Sequence, residues 1–354
     1  MPIALGAWVG HGKSKGRDET VLKPLLTRLA ALIRGNSLPC LVLCRKPLIL
    51  TSYWEDFFRS RELILHTFRP ESRPVFLFQF GWHRETPERI AELVREVRAC
   101  AVDAGRVRFV FLCNSEVETS LVQNAGLEGL YCHQNAFLDE RRYPLRARPK
   151  RFDAIYIARI TPFKRHPLAS QIPHLKLIGG FHAREKAYVN QTMRLLEHAR
   201  WKHGVPSSRI SWECAEAATG LCLSAEEGGM FVSAEYLLSG IPIVTTVNLG
   251  GRAGLFDERY TRTVVDTPEA VREAVEELAG MRCRPEDIRQ AVIAKMEVHR
   301  DILRQLLGSL YAAEGCKWDG ISTWQKLFVH KLGIRCSVGL RDQFTRVLKP
   351  HWRL

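Results

Sequence analysis

The stretch of sequence with the clearest chemical content is residues 224–246, in which two carboxylates, Glu227 and Glu235, flank a glycine pair. The pattern predicts the end of a strand, a loop, a helix and a turn into another buried strand. Gly228 and Gly229 let the backbone approach a ligand closely, and the first turn of the helix offers free N–H groups to an anion. Carboxylates beside a bare phosphate would repel it. They suit a phosphate attached to a sugar or ribose, whose hydroxyls donate hydrogen bonds to them.

A parallel sheet wound by helices is the arrangement that would position these residues. Short apolar runs predict strands in the first half at 3–5, 41–44, 75–80 and 107–112. In the second half they predict strands at 154–158, 175–178, 209–212, 220–223 and 243–245. Amphipathic patterns predict helices between them, notably at 22–33, after Thr86-Pro87 and at 185–203. We therefore predict an α/β chain of two doubly wound halves, with ligands at the carboxyl ends of the strands.

Chain length and one basic stretch predict the domain limits. A chain of 354 residues is too long for one ordinary core. Residues 141–151 carry six cations and two prolines and interrupt the alternation, which is typical of a linker. We predict a Rossmann-like domain at 1–140, a second Rossmann-like domain at 152–310 that holds the ligand, and a basic segment at 311–354 that packs back on the first domain.

The net charge of +14 favours anionic partners such as phosphates, nucleic acid or an acidic membrane face. No apolar stretch approaches the ~20 residues that cross a bilayer, and the first residues do not resemble a secretory signal. The ten cysteines are scattered and form no Cys-x-x-Cys pair, so we expect reduced cysteines in a cytoplasmic protein. The basic, partly apolar segment after residue 320 leaves open an association with the inner face of a membrane.

Two motifs resemble the retaining GT-B glycosyltransferases, and among them glycosyltransferase family 4. In the first motif, seven residues separate Glu227 from Glu235, glycines follow the first glutamate, and Gly240-Ile241-Pro242 follows the second. In the second motif, Arg159, four residues and Lys164 follow the first strand of the second half.

A third motif, Val247-Asn-Leu-Gly-Gly-Arg252, resembles the glycine-rich loop that this family has one strand later. The resemblance covers about residues 150–280. Before the linker, Asn135 stands where the family often has an Asn-Gly-Val-Asp turn, although the glycine of that turn is missing here.

This resemblance implies two Rossmann-like domains facing a central cleft, and transfer of a sugar from a UDP- or GDP-sugar to a glycan or lipid-linked acceptor. Arg159 and Lys164 would hold the diphosphate, Glu227 the donor sugar and Glu235 the ribose. Backbone contacts would come from Gly228, Gly229 and Met230. The two cations and the helix N-terminus would stabilise the leaving diphosphate without a metal or other cofactor. Same-face attack would require no protein nucleophile.

An alternative comes from the loop Gly10-His11-Gly12-Lys13, which follows the first predicted strand and could line the acceptor side of the cleft. Ala7, four residues and Gly12-Lys13-Ser14 satisfy a loose P-loop pattern, which would make the chain a nucleotide-dependent kinase or NTPase. However, a P-loop places its Lys and Ser on the first turn of a helix, and residues 15–18 start a helix poorly. Neither neighbouring strand ends in the Asp that would hold magnesium.

His83 and Asn114 follow predicted strands and are further candidates for the cleft, although a surface histidine and a helix cap remain open for them. The tail at 320–354 carries seven cations and apolar residues against the single Asp342. It is expected to pack on the first domain, to dock on an anionic membrane, or both. A basic protein that binds nucleic acid or membrane without catalysis is the third class, and no recognised nucleic-acid module supports it.

Overall fold

The computed structural model describes residues 40–67, 73–100 and 106–333. In these ranges the chain forms two sheets. The first contains β1 (Leu41–Arg45), β2 (Leu48–Tyr53), β3 (Val75–Gln79), β4 (Arg108–Cys113) and β5 (Gly129–Tyr131). The second contains β6 (Phe152–Ile157), β7 (Leu175–Ile178), β8 (Arg200–Lys202), β9 (Ala217–Cys222), β10 (Ile243–Thr246) and β11 (Thr261–Val264).

Helices separate the strands. Those that accompany the first sheet are α1 (Trp54–Thr67), α2 (Pro87–Ala99) and α3 (Glu116–Asn124). Those that follow are α4 (Lys186–Leu195), α5 (Ile210–Ala215), α6 (Phe231–Leu238), α7 (Pro268–Gly280), α8 (Pro285–Ala313) and α9 (Gly320–Leu327). Short 3-10 turns at Gln134–Phe137 and Pro162–Lys164 come between strands and carry residues of the candidate site.

The first sheet has the order β1-β2-β3-β4-β5, in which β1 and β2 are antiparallel and the other neighbours parallel. Both faces of β3 are buried: Phe76 and Phe78 pack under α1 and α2, while Val75 and Leu77 face the second half of α8. Burial on both faces explains why this strand reads as a continuous apolar run without alternation.

The second sheet is parallel throughout, in the order β11-β10-β9-β6-β7-β8. One face packs against α5, α6 and the first half of α8, and the other face packs against α7. In the second sheet the strand order reverses at β6, which makes this half a doubly wound α/β unit, as predicted. In the described part of the first sheet, α1, α2 and α3 cover one face and α8 covers the other.

Helix α8 joins the two halves because its apolar residues divide between them. Ile288 and Met296 lie in the core of the second sheet, whereas Leu303 and Leu307 lie in that of the first. At 1.5 Å per residue, this helix is about 43 Å long. The described residues beyond it, including Leu332, also pack on the first sheet. The domain limits given above stay a prediction.

Two predicted elements are wrong. Residues 209–212, predicted as a strand, form the end of a 3-10 turn and the start of α5. The predicted helix at 185–203 ends at Leu195, and the chain then forms the edge strand β8. The strand predicted at 3–5 and the helix at 22–33 lie outside the described residues. In the described ranges the nine cysteines are free, and none of the helices is long and apolar enough to cross a membrane.

Candidate active site

The two halves meet at the carboxyl ends of their strands. A Cβ atom built on Gly229, in the loop before α6, would lie 2.4 Å from the Gln134 side chain of the first half. One built on Gly251, in the loop after β10, would lie 2.3 Å from the backbone oxygen of Asn114. Because backbone atoms of Asn114 lie opposite Gly251, glycine is required at that position, whereas a side chain at position 229 would have to displace the Gln134 side chain. The loops that carry the predicted site residues thus line one cleft.

Lys164 and Glu227 meet in this cleft, 63 positions apart in sequence. Lys164 ends the 3-10 turn after β6, and its ammonium donates to Glu227 Oε1. The Ser224 hydroxyl donates to the same oxygen at 2.7 Å. Both side chains are largely buried, with 13% and 10% exposed. An anionic ligand would compete with Glu227 for the ammonium, and the released carboxylate could accept hydrogen bonds from hydroxyls.

Two arginines form hydrogen bonds with the loops around Lys164 and Glu227. Arg252 is fully buried, and its guanidinium donates to the Ser224 carbonyl at 2.8 Å and to the Thr246 carbonyl. Arg165 has a left-handed backbone with φ of 52° and donates to the Leu223 carbonyl at 2.6 Å. They add positive charge beside the cleft and hold the ends of β9 and β10 in fixed positions.

The glycine pair leads directly into the N-terminus of α6. Met230 is the N-cap and has a left-handed backbone, with φ of 40°. Asn135, from the first half of the chain, donates its side-chain amide to the carbonyls of Gly229 and Met230. Asn135 is fully buried, so the first half fixes the conformation of the loop that presents the helix N-terminus. Gly228, Gly229 and Met230 thus form the loop that leads into the N-terminus of α6, and their backbone contacts with a donor stay a prediction.

Arg159 does not join Lys164. Its guanidinium donates to His182 Nε2 at 2.8 Å in an exposed position at the ends of β6 and β7. Arg159 and Lys164 share the carboxyl edge of the second sheet, but of the two only Lys164 contacts Glu227.

Glu235 also lies apart from Glu227 and has partners of its own. The Tyr143 hydroxyl donates to Glu235 Oε1 at 2.9 Å, and the Lys331 ammonium lies 3.5 Å from the same oxygen. Burial, with the carboxylate beside it, raises the pKa of Tyr143 well above its ordinary value, so the phenol stays a donor. The predicted ribose-binding carboxylate is thus oriented by the linker and by the C-terminal segment.

His83 reaches across the cleft and is almost completely buried. Its Nε2 lies 3.3 Å from Glu226 Oε2, and Arg89 approaches the same oxygen at 3.6 Å. Burial lowers the pKa of His83, so the ring is neutral near pH 7. The backbone N–H of Glu85 donates to Nδ1, which places the ring proton on Nε2, facing Glu226.

Asn114 is fully buried just after β4, where Gly251 of the second half packs against it, and the N-cap of α3 is its neighbour Ser115. Asn114 Oδ1 accepts the backbone N–H of Gln134 at 3.0 Å. Its own backbone N–H donates to Glu118 at 2.7 Å, and the Glu118 carboxylate also accepts the N–H of Arg84. Burial raises the pKa of Glu118 to about 7. Gly10 and Gly12 lie outside the described residues.

Sequence reasoning missed several residues that line this cleft. Glu85 accepts the backbone N–H of Gly250 at 2.8 Å and the Ser115 hydroxyl, which links the two halves. Gln134 covers Gly229, and Glu226 holds His83. Glu226 directly precedes Glu227, and Gln134 directly precedes Asn135. These positions next to recognised motif residues are the only features of the sequence that could have indicated a role for Glu226 and Gln134. Nothing in the sequence around Glu85 distinguishes it from a surface glutamate.

The fold is similar to those of known glycosyltransferase structures. TarM of S. aureus superimposes with a TM-score of 0.57 at 12% identity, over 81% of this chain and 58% of that one. HepE of Anabaena gives 0.53 at 12% identity, over 81% and 82% of the two chains. Both structures are complexes with UDP. The chain therefore spans less than two thirds of the length of TarM.

Sucrose-phosphate synthase of Thermosynechococcus elongatus gives a TM-score of 0.54 at 16% identity, over 83% of this chain and 79% of that one. No protein-family model and no curated protein sequence matches the chain. At these identities the likeness concerns the fold, in which two α/β units meet at a cleft. The protein has the GT-B fold.

Proposed function

We propose that this protein is a glycosyltransferase that moves a sugar from a nucleoside-diphosphate sugar to a glycan or lipid-linked acceptor. The observation that carries the proposal is the contact between Lys164 and Glu227 at the N-terminus of α6, inside the cleft of a GT-B fold. A cation, a helix N-terminus and a carboxylate together provide for a diphosphate joined to a hydroxyl-rich group. Similar structures that are complexes with UDP support a nucleotide donor.

In the proposed reaction, the donor diphosphate displaces Glu227 from the Lys164 ammonium and lies against the N–H groups at the start of α6. Arg159 is exposed and can turn from His182 towards the diphosphate. These groups stabilise the negative charge that develops on the leaving nucleoside diphosphate. Glu227, freed from Lys164, accepts hydrogen bonds from hydroxyls of the donor sugar, while Glu235 accepts from the ribose.

We further propose that transfer retains the anomeric configuration and proceeds without a metal ion, as in glycosyltransferase family 4. The acceptor hydroxyl would attack the face from which the diphosphate departs, so the protein supplies no nucleophile. Lys164, the helix N-terminus and the nearby Arg165 and Arg252 are the charges that replace a metal in this scheme. The excess of cations in the whole chain suits an acceptor at an anionic membrane surface, in polysaccharide or glycolipid assembly.

A ligand panel tests the proposal. UDP-, GDP-, ADP- and CMP-sugars, each with EDTA, are compared by thermal shift with ATP and GTP in magnesium. We expect one diphosphate sugar to stabilise the protein without metal, and Lys164→Ala to lose most of this stabilisation because it removes the ammonium. Lys46→Ala is the matched control, since this exposed lysine precedes β2, at the end of the first sheet opposite the carboxyl ends that line the cleft.

The same panel distinguishes the alternative. Stabilisation by a nucleoside triphosphate alone, dependent on magnesium and lost in Lys13→Ala, would contradict the glycosyltransferase proposal in favour of a P-loop protein. Equal stabilisation of the wild type and of Lys164→Ala by the same sugar nucleotide would contradict the assigned diphosphate site.

A further inference from the structure

The C-terminal segment contains a strained turn at His330–Gly333. Three consecutive residues of this turn have a left-handed backbone, with φ of 58° at Lys331, 49° at Leu332 and 73° at Gly333. Glycine adopts this conformation freely, whereas the Cβ atoms of lysine and leucine make it unfavourable. Backbone outliers of this kind cluster at functional sites, so the turn is a candidate for a function of its own.

The first half of the chain holds this turn in place. Leu332 is buried in the core of the first sheet, and the Thr51 hydroxyl donates to its carbonyl at 2.7 Å. On the other side of Lys331, His330 Nδ1 accepts the backbone N–H of Asp139 at 3.0 Å. Because both neighbours are fixed, the backbone of Lys331 has a defined position.

From this position the Lys331 side chain reaches α6 of the second half. Its ammonium lies 3.5 Å from Glu235 Oε1 and 4.3 Å from the centre of the Phe231 ring. The Tyr143 hydroxyl donates to the same oxygen at 2.9 Å. The other carboxylate oxygen, Oε2, accepts no hydrogen bond from the described residues. One oxygen of Glu235 is thus held by two donors, while the other is available to a ligand.

Folding stability alone does not explain the contact between Lys331 and Glu235. The Lys331 side chain is 23% exposed, and an ion pair of a partly exposed lysine contributes little to stability. The left-handed backbone that places the lysine there opposes folding. The contact has a clearer consequence for binding, because a carboxylate already held in one orientation loses less conformational freedom when a hydroxyl donates to it.

We propose that Lys331 is a positioning residue for nucleotide recognition, which holds Glu235 Oε1 so that Oε2 accepts hydrogen bonds from the ribose hydroxyls. This inference rests on the proposed function, in which Glu235 binds the ribose of the donor. It adds that the affinity for the nucleotide depends on a residue outside both sheets. The turn therefore couples the packing of the C-terminal segment on the first half to the donor site in the second.

Nucleotides without ribose hydroxyls test this inference. Calorimetry gives the dissociation constants of UDP, GDP and ADP and of their 2′,3′-dideoxy forms. The readout, for the base that binds best, is the ratio of the dideoxy constant to the constant of the parent nucleotide. Because hydrogen bonds to a carboxylate are strong, we expect a ratio of at least about 10 in the wild type. Glu235→Ala lacks the carboxylate and should have a ratio of about 1.

Variants of Lys331 separate positioning from other roles. Lys331→Met keeps the length of the side chain but removes the charge, so the ratio should fall by a factor of about 3 or more. Lys331→Arg keeps a positive charge and should retain a ratio close to that of the wild type. In the double variant of Glu235→Ala and Lys331→Met, the ratio should equal that of Glu235→Ala, because Lys331 acts through Glu235. Lys326→Met, an exposed position on α9 of the same segment, is the matched control and should leave the ratio unchanged.

An unchanged ratio in Lys331→Met overturns the inference, and a lower melting temperature of this variant with an unchanged ratio would assign the lysine a structural role. An equal loss in Lys331→Arg and Lys331→Met would also contradict it, and so would a wild-type ratio of about 1. None of these results affects the proposed function, whose diphosphate site is judged from Lys164→Ala and the parent nucleotides alone. If no parent nucleotide binds, the proposed function fails and not only this inference.

Discussion

At the scale of single residues, charged groups in the cleft are already paired with one another. Lys164 holds Glu227, Arg89 and His83 hold Glu226, and Glu85 accepts the N–H of Gly250. A donor diphosphate therefore exchanges one anionic partner of Lys164 for another, so the ammonium is never left buried without a counter-charge. This exchange avoids much of the desolvation cost that an unpaired buried ammonium would carry.

Glu118 gives the cleft a dependence on pH. Its buried carboxylate accepts the N–H groups of Arg84 and Asn114, and burial raises its pKa from 4.5 to about 7. The folded state thus binds this proton more tightly than the unfolded state. The resulting stabilisation is complete below about pH 4 and is lost as the pH rises through 7.

The buried histidines, among them His83, His133 and His166, have lowered pKa values and act in the opposite direction. We therefore expect the free energy of unfolding of the wild type, measured with urea relative to that of Glu118→Gln, to fall between pH 5 and pH 8. Comparison of the two proteins isolates Glu118, because the buried histidines titrate equally in both. Parallel pH profiles for the wild type and Glu118→Gln would contradict the raised pKa. Glu116→Gln, at the solvated first turn of α3, is the control and should follow the wild type.

At the scale of elements, the sequence pattern predicted the loops of the second sheet more accurately than its edge strand, β8. The buried strands β7, β9 and β10 were visible as apolar runs, and the glycines before α6 marked the loop. Strand β8 has three residues and no apolar run, and Leu195 is followed by neither glycine nor proline, so the helical pattern extended too far. Residues 209–212 were predicted as a buried strand, but they belong to a half-buried turn of helix.

The candidate site was predictable to a similar extent. The sequence around Glu227 and Glu235 predicts a loop at the first and a helix at the second, and the structure has this loop and this helix. The partners of a carboxylate depend on distant parts of the chain. Glu235 contacts Tyr143, 92 positions before it, and Lys331, 96 positions after it. Such contacts follow from packing of the whole fold, and local pattern does not contain them.

The N-terminus of α6 depends on Asn135, and this dependence can be measured. Its amide bridges the Gly229 and Met230 carbonyls and holds Met230 in a left-handed conformation. Asn135→Ala leaves two buried carbonyls without this donor, so we expect a loss of about 2–4 kcal/mol in the free energy of unfolding. Urea denaturation checks this value. Asn190→Ala, on the exposed face of α4, should change it by less than about 0.5 kcal/mol.

Asn135→Asp sharpens the same test. Its carboxylate would face the two carbonyls without a proton to donate, so the loss should exceed that of Asn135→Ala. An aspartate variant as stable as the wild type would mean that the amide does not hold this loop.

At the scale of the whole molecule, the halves are tied together in two places. The cleft loops interlock through Gly229, Gly250 and Gly251, and α8 crosses from the second core to the first. An element shared by two cores couples their unfolding, because neither core is complete without it. We therefore expect the chain to lose both halves in one transition, despite its two-sheet construction.

Arg300 is the residue on α8 where this coupling is concentrated. It is buried, and its guanidinium donates to the carbonyls of Ala136 at 2.7 Å and Leu138 at 2.9 Å, where the first half passes into the linker. It also pairs with Glu140 at 2.8 Å and Glu297 at 2.6 Å. Arg300→Ala leaves these buried acceptors unpaired, so we expect a loss of about 3–5 kcal/mol in the free energy of unfolding.

Arg304→Ala is the matched control, one turn further along α8. Arg304 pairs with Asp301 and Glu297 near the surface, with 22% of its side chain exposed, so its removal should cost less than about 1 kcal/mol.

Urea unfolding is followed by circular dichroism, which reports all helices, and by tryptophan fluorescence in a background that carries Trp201→Phe and Trp212→Phe. These two tryptophans lie in the second half, whereas Trp54 lies in the first core. Coupling through Arg300 predicts that the two transitions coincide in the wild type and separate in Arg300→Ala. Coincident transitions in Arg300→Ala, with a stability close to that of Arg304→Ala, would mean that the cleft contacts alone join the halves.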